Sequence, residues 1–110
     1  MIIVYDIETF CNCFTYTGFN IDTKEFDIFV IGDESLGSDL DAFQIYLRDL
    51  MDKKAGMVGF NNINFDWPIV RAIMNDQVNT AKSIYSLAQE IIGIVLLCIL
   101  FLKSSIISLG

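Results

Sequence analysis

Two carboxylates stand one residue apart near the beginning of the chain. Asp6 and Glu8 follow the apolar run of residues 1–5. On a β-strand, side chains two residues apart point to the same face, so Asp6 and Glu8 project together. Carboxylates at this spacing repel each other unless a divalent cation such as Mg²⁺ or Mn²⁺ lies between them. The pair is therefore either half of a metal site or a solvated turn at a strand end.

A second group of polar residues follows later in the chain. Asn62 and Asn64 come after the short apolar run of residues 57–60, and Asp66 stands two residues before Pro68. Proline is favoured in the first turn of a helix, which places Asp66 at a helix N-terminus. An Asp in this position either caps the helix or ligates a metal beside the preceding strand.

Composition limits the partners and the compartment. The 110 residues suit one domain, and 54% hydrophobic residues can form a core. The net charge of −7 argues against a protein that grips nucleic acid by a basic surface, so a phosphate substrate would need metal ions or another chain. Three cysteines without any histidine fit neither a zinc site nor a disulfide framework. Reduced thiols in the cytoplasm fit best, and the N-terminus lacks the positive residues of a secretory signal.

The elements that position these acids are predicted to be strands first and helices later. Residues 1–9, 10–21 and 25–31 are rich in β-branched and aromatic residues and are separated by short polar connections. They predict three strands in an antiparallel meander. A helix capped by Ser38 then leads to a short strand over residues 57–60. Because a helical crossover precedes it, this fourth strand is predicted to run parallel to the first.

The two polar stretches together resemble the first two motifs of the DnaQ-like 3′-5′ exonuclease domain. The form that these stretches resemble is the proofreading domain of family B DNA polymerases of the phage and protein-primed type. Residues 5–9, Tyr-Asp-Ile-Glu-Thr, match the first motif, and residues 62–66, Asn-Ile-Asn-Phe-Asp, match the second. The resemblance extends over residues 1–90, and the paired motifs are far more specific than either one alone.

The resemblance implies a fold, a reaction and roles for individual residues. The fold is α/β and ribonuclease H-like: a mixed sheet, with an antiparallel three-strand meander plus a parallel strand, flanked by helices and here incomplete. The reaction is hydrolysis of the 3′-terminal phosphodiester of single-stranded DNA with two Mg²⁺ or Mn²⁺ ions. By resemblance, the catalytic metal ligands are Asp6, Glu8 and Asp66. The residues that match positions binding the single-stranded 3′ end are Thr9, Asn62 and Phe65.

The sequence also departs from the family pattern. The third exonuclease motif of the family is a Tyr followed four residues later by an Asp. In this chain, the residues four positions after each tyrosine are Thr9, Asn20, Leu50 and Gln89. The polymerase motifs are missing as well. Asp76 and Glu90 are the remaining acids after Asp66. The chain alone is therefore predicted to be inactive or a very weak nuclease.

The last 20 residues differ from the rest in composition. Residues 91–102 are uninterrupted apolar sequence, Lys103 follows, and no acid occurs after Glu90. Twelve apolar residues fall short of the ~20 that span a bilayer, although the stretch to Leu109 reaches that length. Three interpretations compete: a helix buried by the domain, a membrane anchor, and a tail unrelated to the family. We favour the third, since an exonuclease domain should continue with charged residues here.

We therefore expect two regions, a partial exonuclease domain over residues 1–90 and an apolar tail over residues 91–110. The expected function is that of an N-terminal fragment of a DNA-directed DNA polymerase, truncated after the second exonuclease motif. Its expected partners are the 3′ end of single-stranded DNA and the remainder of the polymerase, in the cytoplasm, which is the host's if the protein is viral. The alternative is a non-catalytic ribonuclease H-like remnant that binds a partner or a membrane through its tail.

Overall fold

The computed structural model describes the backbone of residues 1–109 and the side chains of residues 1–97, 99 and 100. The chain is α/β, as predicted. The strands and helices, in chain order, are β1 (Ile2–Phe10), β2 (Cys13–Asn20), β3 (Glu25–Gly32), α1 (Leu40–Asp52), β4 (Gly56–Val58), α2 (Trp67–Met74) and α3 (Ala81–Leu109). A π-helical turn, Asn62–Asp66, leads directly into α2 and is called the π turn below.

The four strands form one mixed sheet in the order β3-β2-β1-β4. β1 pairs antiparallel with β2, and β2 pairs antiparallel with β3, which confirms the predicted meander. β4 pairs parallel with β1, as the crossover through α1 requires, and it covers Gly56–Val58 rather than the predicted residues 57–60. The strand that carries Asp6 and Glu8 is therefore central in the sheet.

One face of this sheet is covered by the helices. Along β1, Ile3, Tyr5 and Ile7 are buried while Asp6 and Glu8 are exposed, the alternation that a half-covered strand produces. The buried residues that the helices contribute to this core are Phe43, Leu47, Leu50, Ile69, Val70, Ile73, Ile84 and Ala88. Apolar burial on this face supplies the main stabilising free energy of the fold.

The opposite face of the sheet, called the open face, has no helix packed on it in the described part of the chain. Six apolar side chains on this face are between 42% and 65% exposed: Ile2, Val4, Phe10, Phe26, Ile28 and Val58. Asp6 and Glu8 lie on this face. The prediction of a sheet flanked by helices thus holds for one face of the sheet that the structure describes.

α1 and α2 begin close to where the sequence patterns predicted. The Ser38 hydroxyl accepts a hydrogen bond from the Leu40 N–H at 3.2 Å, although the residue in the cap position of α1 is Asp39. Pro68 lies in the first turn of α2, where its missing N–H costs no helical hydrogen bond. These starts set the position of Asp66, the last residue of the π turn.

α3 runs without a break from the domain into the apolar tail. Its N-terminal half packs on the sheet through Ile84 and Ala88, which are fully buried. From Ile92 to Leu100, in contrast, the described large apolar side chains except Val95 are 39% to 67% exposed, so the domain does not bury this segment. Over the residues described, no helix combines the length and apolar character needed to cross a bilayer. The side chains of residues 101–110, part of the predicted tail, lie outside the described residues.

Candidate functional site

The first part of the site is the pair of carboxylates on β1. Asp6 lies opposite Thr17 of β2, and Glu8 lies opposite Thr15. All four positions belong to the open face, and both acids are exposed to solvent. The prediction that Asp6 and Glu8 share one face is therefore confirmed. Together they present carboxylate oxygens, the hard donors that Mg²⁺ and Mn²⁺ prefer, on one solvent-facing surface.

The second part of the site is the π turn after β4. β4 runs parallel to β1 and ends at Val58, which pairs with Val4, so the chain that leaves β4 passes beside the middle of β1 and the π turn meets β1 at Tyr5. Asp66 is only 6% exposed, and its Oδ2 accepts a hydrogen bond from the Asn61 N–H at 3.1 Å. Asp66 makes no side-chain cap on α2, so the interpretation of Asp66 as a helix cap is wrong.

A third residue, Tyr5, joins these two parts of the chain. Its hydroxyl donates a hydrogen bond to Oδ1 of Asn62, and Nδ2 of Asn62 in turn donates to the carbonyl oxygen of Met57 at 2.8 Å. Burial, and secondarily the nearby Asp66 carboxylate, raise the pKa of the Tyr5 phenol well above its usual value. Tyr5 is therefore a neutral hydrogen-bond donor at physiological pH.

Gly59 makes the close packing of these side chains possible. A β-carbon added at this position would lie 2.9 Å from Oδ2 of Asp66 and 3.3 Å from both Oδ1 of Asn62 and Cε1 of Tyr5. Contacts this short leave no room for a larger residue. The three polar side chains therefore converge around the backbone of Gly59, on the helix-covered side of β1.

The structure does not bring Asp66 to the carboxylates on β1. Tyr5, the neighbour of Asp66, points to the buried face, whereas Asp6 and Glu8 point to the open face. Among the described residues, no three side chains of His, Cys, Asp or Glu are grouped so that they can hold a metal ion. No buried side-chain nitrogen or oxygen in that part of the chain lacks a hydrogen-bond partner, so Asp66 is not an orphan that a cation would satisfy. The complete two-metal site does not fit this arrangement, and convergence of the three acids stays a prediction.

Two of the predicted substrate-binding residues, Asn62 and Phe65, belong to the π turn, and the third, Thr9, lies on β1. Thr9 is half-buried and is the last residue but one of β1. Phe65 is half-buried and packs against the core, so its ring already contributes to stability. The Asn62 side chain is occupied at both ends by Tyr5 and Met57.

Two further residues at this site did not emerge from sequence analysis. Phe60 is fully exposed and Ile63 is 86% exposed, although both are large and apolar. They flank Asn61 and Asn62 on the chain, and exposed aromatic rings of this kind are the side chains on which nucleobases stack. In a short apolar run, the sequence alone does not show whether an aromatic residue is exposed or is buried in a strand. Phe60 was therefore predicted to belong to the fourth strand.

A cleft of about 530 Å³ lies at the start of α3, between residues 11–12, residues 31–38 and residues 79–82. None of the predicted site residues lines this cleft. Its borders combine acids, Asp33 and Glu34, with one cation, Lys82. The cleft is therefore separate from the candidate site.

Comparisons with known proteins identify no relative. No protein-family model matches the sequence, and neither the curated proteins nor the solved structures include a significant match. The functional proposal consequently depends on the two motifs and on where the fold places them.

Proposed function

We propose that the chain is part of a DnaQ-like 3′-5′ exonuclease domain with a ribonuclease H-like fold, of the kind found in family B DNA polymerases. The observation that carries this proposal is the position of the two motifs relative to the parallel strands β1 and β4. The first motif lies within β1, and the second forms the π turn, which three residues separate from the end of β4. Strand order β3-β2-β1-β4, with three antiparallel strands and one parallel strand, is compatible with that fold.

The proposed substrate is the 3′ end of single-stranded DNA, hydrolysed at its terminal phosphodiester. In the complete domain, Asp6, Glu8 and Asp66 are proposed as ligands of two Mg²⁺ or Mn²⁺ ions. Thr9, Asn62 and Phe65 are proposed to bind the 3′ end. Of these three acids, Asp6 and Glu8 are the two that are exposed to a cation from solvent. The net charge of −7 adds no attraction for DNA.

Weak or absent hydrolysis by this chain alone follows from the missing third motif. In the family, that motif supplies the fourth carboxylate and the tyrosine that orients the attacking water. A misplaced nucleophile raises the barrier, and each ~1.4 kcal/mol of barrier slows the reaction tenfold. The remainder of the polymerase, acting in the cytoplasm, is the proposed partner that completes the site.

The experiment is a degradation assay on a labelled single strand in the presence of Mn²⁺. Three proteins are compared: the unaltered chain, its Asp6→Ala variant, and a version extended by a segment that carries a Tyr-x-x-x-Asp motif. We expect mononucleotide release by the extended version and little by the other two. Robust release by the unaltered chain, abolished in Asp6→Ala, would show that another acid completes the site, and Glu90 is the first to test. Absence of release by every version counts against the exonuclease proposal.

A second candidate function is favoured by the exposed apolar half of α3. Ile94, Leu97 and Leu100 are 59% to 67% exposed, which is unusual for isolated soluble domains when such residues are contiguous. A non-catalytic ribonuclease H-like remnant that binds a partner protein or a membrane through this segment accounts for that exposure. Dependence on metal separates the two functions, since binding through α3 needs neither Mn²⁺ nor Asp6.

A further inference from the structure

Tyr5 and Asn62 are hydrogen-bonded between the central strand and the π turn, although they are 57 positions apart in the chain, and Asp66 lies beside them around Gly59. The Tyr5 hydroxyl donates to Asn62, and Asn62 donates to the backbone of Met57 in β4. Asp66 closes the turn by accepting the Asn61 N–H. No buried side-chain nitrogen or oxygen of these three residues lacks a hydrogen-bond partner.

The position of Asp66 is fixed by its surroundings. It is 6% exposed, it ends a π-helical turn, and its Oδ2 lies 2.9 Å from where a β-carbon on residue 59 would stand. Rotating the carboxylate toward the open face would break its hydrogen bond with the Asn61 N–H, the bond that closes the π turn.

We propose that Tyr5, Asn62 and Asp66 are a structural clasp that fastens β1 to the start of α2, and that Asp66 is not a ligand of the cation that Asp6 and Glu8 bind in this chain. The clasp itself is independent of the proposed function, whereas the statement about the cation rests on it. The carboxylate of the second exonuclease-like motif thus serves stability here, while the two carboxylates of the first motif face solvent.

The test measures stability and Mn²⁺ binding on the full chain. For stability, urea unfolding compares Tyr5→Phe, Asp66→Asn and the double variant. Both single variants should lower the urea midpoint, and the double variant should lower it by less than the sum of the two shifts, because both residues lie beside each other around Gly59. Fully additive shifts, or no shift in Tyr5→Phe, would overturn the clasp.

For the cation, calorimetry measures Mn²⁺ binding by the Asp66→Asn and Asp6→Asn variants. The control for the loss of one charge is Asp52→Asn, because Asp52 is an exposed acid at the end of α1. We expect Asp6→Asn to weaken binding by at least about tenfold, while Asp66→Asn stays within about twofold of the control, since loss of a ligand or of its support typically costs tenfold or more. Equal weakening by Asp66→Asn and Asp6→Asn would overturn the inference about the cation.

A measurement on the unaltered chain covers the case in which Asp66→Asn does not fold. In nuclear magnetic resonance spectra, saturating Mg²⁺ should shift the amide signals of Asp6 and Glu8 and leave those of Asn61 and the Asn62 side chain in place. A shift of the Asn61 amide comparable to that of Glu8 would contradict the inference. If the chain binds neither ion, the metal part of the proposed function fails, and the urea midpoints alone decide the clasp.

Discussion

The hydroxyl oxygens of Tyr16 and Tyr46 lie 3.0 Å apart inside the core, so one phenol donates a hydrogen bond to the other. Tyr16 comes from β2 and is fully buried, whereas Tyr46 comes from α1. Tyr5 stacks on Tyr16 with ring centroids 5.5 Å apart. Three tyrosines therefore connect the central strand, its neighbour and the first helix.

We predict that the fold loses stability in alkaline solution because of this tyrosine cluster. Burial raises the pKa of Tyr5, Tyr16 and Tyr46 above the ordinary value of 10.0. A raised pKa in the folded state means that the unfolded chain releases phenolic protons first. The stabilising contribution is therefore complete below about pH 10 and is lost progressively above it, by up to ~1.4 kcal/mol per pH unit for each tyrosine.

Urea unfolding between about pH 8 and about pH 11 checks this prediction. Tyr16→Phe should reduce the pH dependence of the free energy of unfolding, even though it lowers stability at neutral pH by removing the hydrogen bond. Tyr85→Phe, on α3 and outside the cluster, is the matched control. A pH dependence that is the same in Tyr16→Phe and in the unaltered chain would rule out this explanation.

A second prediction concerns Gly18, which lies within β2. A β-carbon there would come within 2.7 Å of the Tyr16 hydroxyl and 2.8 Å of the Tyr46 hydroxyl. Gly18→Ala should therefore destabilise the fold by ~1–3 kcal/mol, as overpacked core positions do. Gly93→Ala is the control, with an expected effect of the opposite sign. Nothing lies within 4 Å of a β-carbon added at Gly93, and alanine in a helix interior should stabilise the fold by up to ~1 kcal/mol. Thermal or urea unfolding measures both, and a neutral Gly18→Ala would contradict the packing.

The sheet and helices could be predicted because their signals are local. The alternation of Ile3, Tyr5 and Ile7 with Asp6 and Glu8 fixes which side of β1 is buried. Phe26 and Ile28 show the limit of this reasoning. They belong to an apolar run, yet they are about two-thirds exposed because β3 is an edge strand and no described helix covers that face. What packs over a second face depends on tertiary arrangement, which periodicity does not record.

The candidate site was predictable only where neighbours in sequence determine it. Two residues on one strand, Asp6 and Glu8, must share a face. The position of Asp66 depends instead on the path of the chain through the crossover and the π turn. The backbone conformation of that turn decides whether Asp66 lies beside those acids or beside Tyr5. Tyr5 itself was missed because an aromatic residue in a buried strand ordinarily fills the core.

A third prediction addresses binding of single-stranded DNA. If the proposed function is correct, Phe60→Ala should weaken binding of a short single strand in Mg²⁺ by ~1–3 kcal/mol, the usual contribution of one stacked base. Phe26→Ala removes an exposed ring from the open face at β3 and serves as the control. Fluorescence anisotropy of a labelled oligonucleotide gives both affinities. Equal affinities for the two variants would exclude Phe60 as a stacking residue.

A fourth prediction concerns the tail. A chain that ends at Glu90 keeps the buried contacts of Ile84 and Ala88 but lacks the exposed apolar half of α3. It should remain monomeric at concentrations where the full chain associates, because large exposed apolar patches drive association. Light scattering compares the two with a full chain that carries glutamine at positions 94, 97 and 100. If shortening and polar substitution leave association unchanged, another surface is responsible, and the open face is the next to examine.

The central place of β1 has a consequence for synthesis. β1 is synthesised before the other strands of this sheet, and its antiparallel partner β2 follows after a two-residue turn. Its other edge stays unpaired until β3, α1 and finally β4 have been translated, since Gly56–Val58 alone supplies the parallel partner. An unpaired apolar strand edge recruits other chains. The nascent protein therefore passes through a stage in which β1, with its exposed acids, is the edge of the sheet, and any slowing of translation before β4 prolongs that exposure.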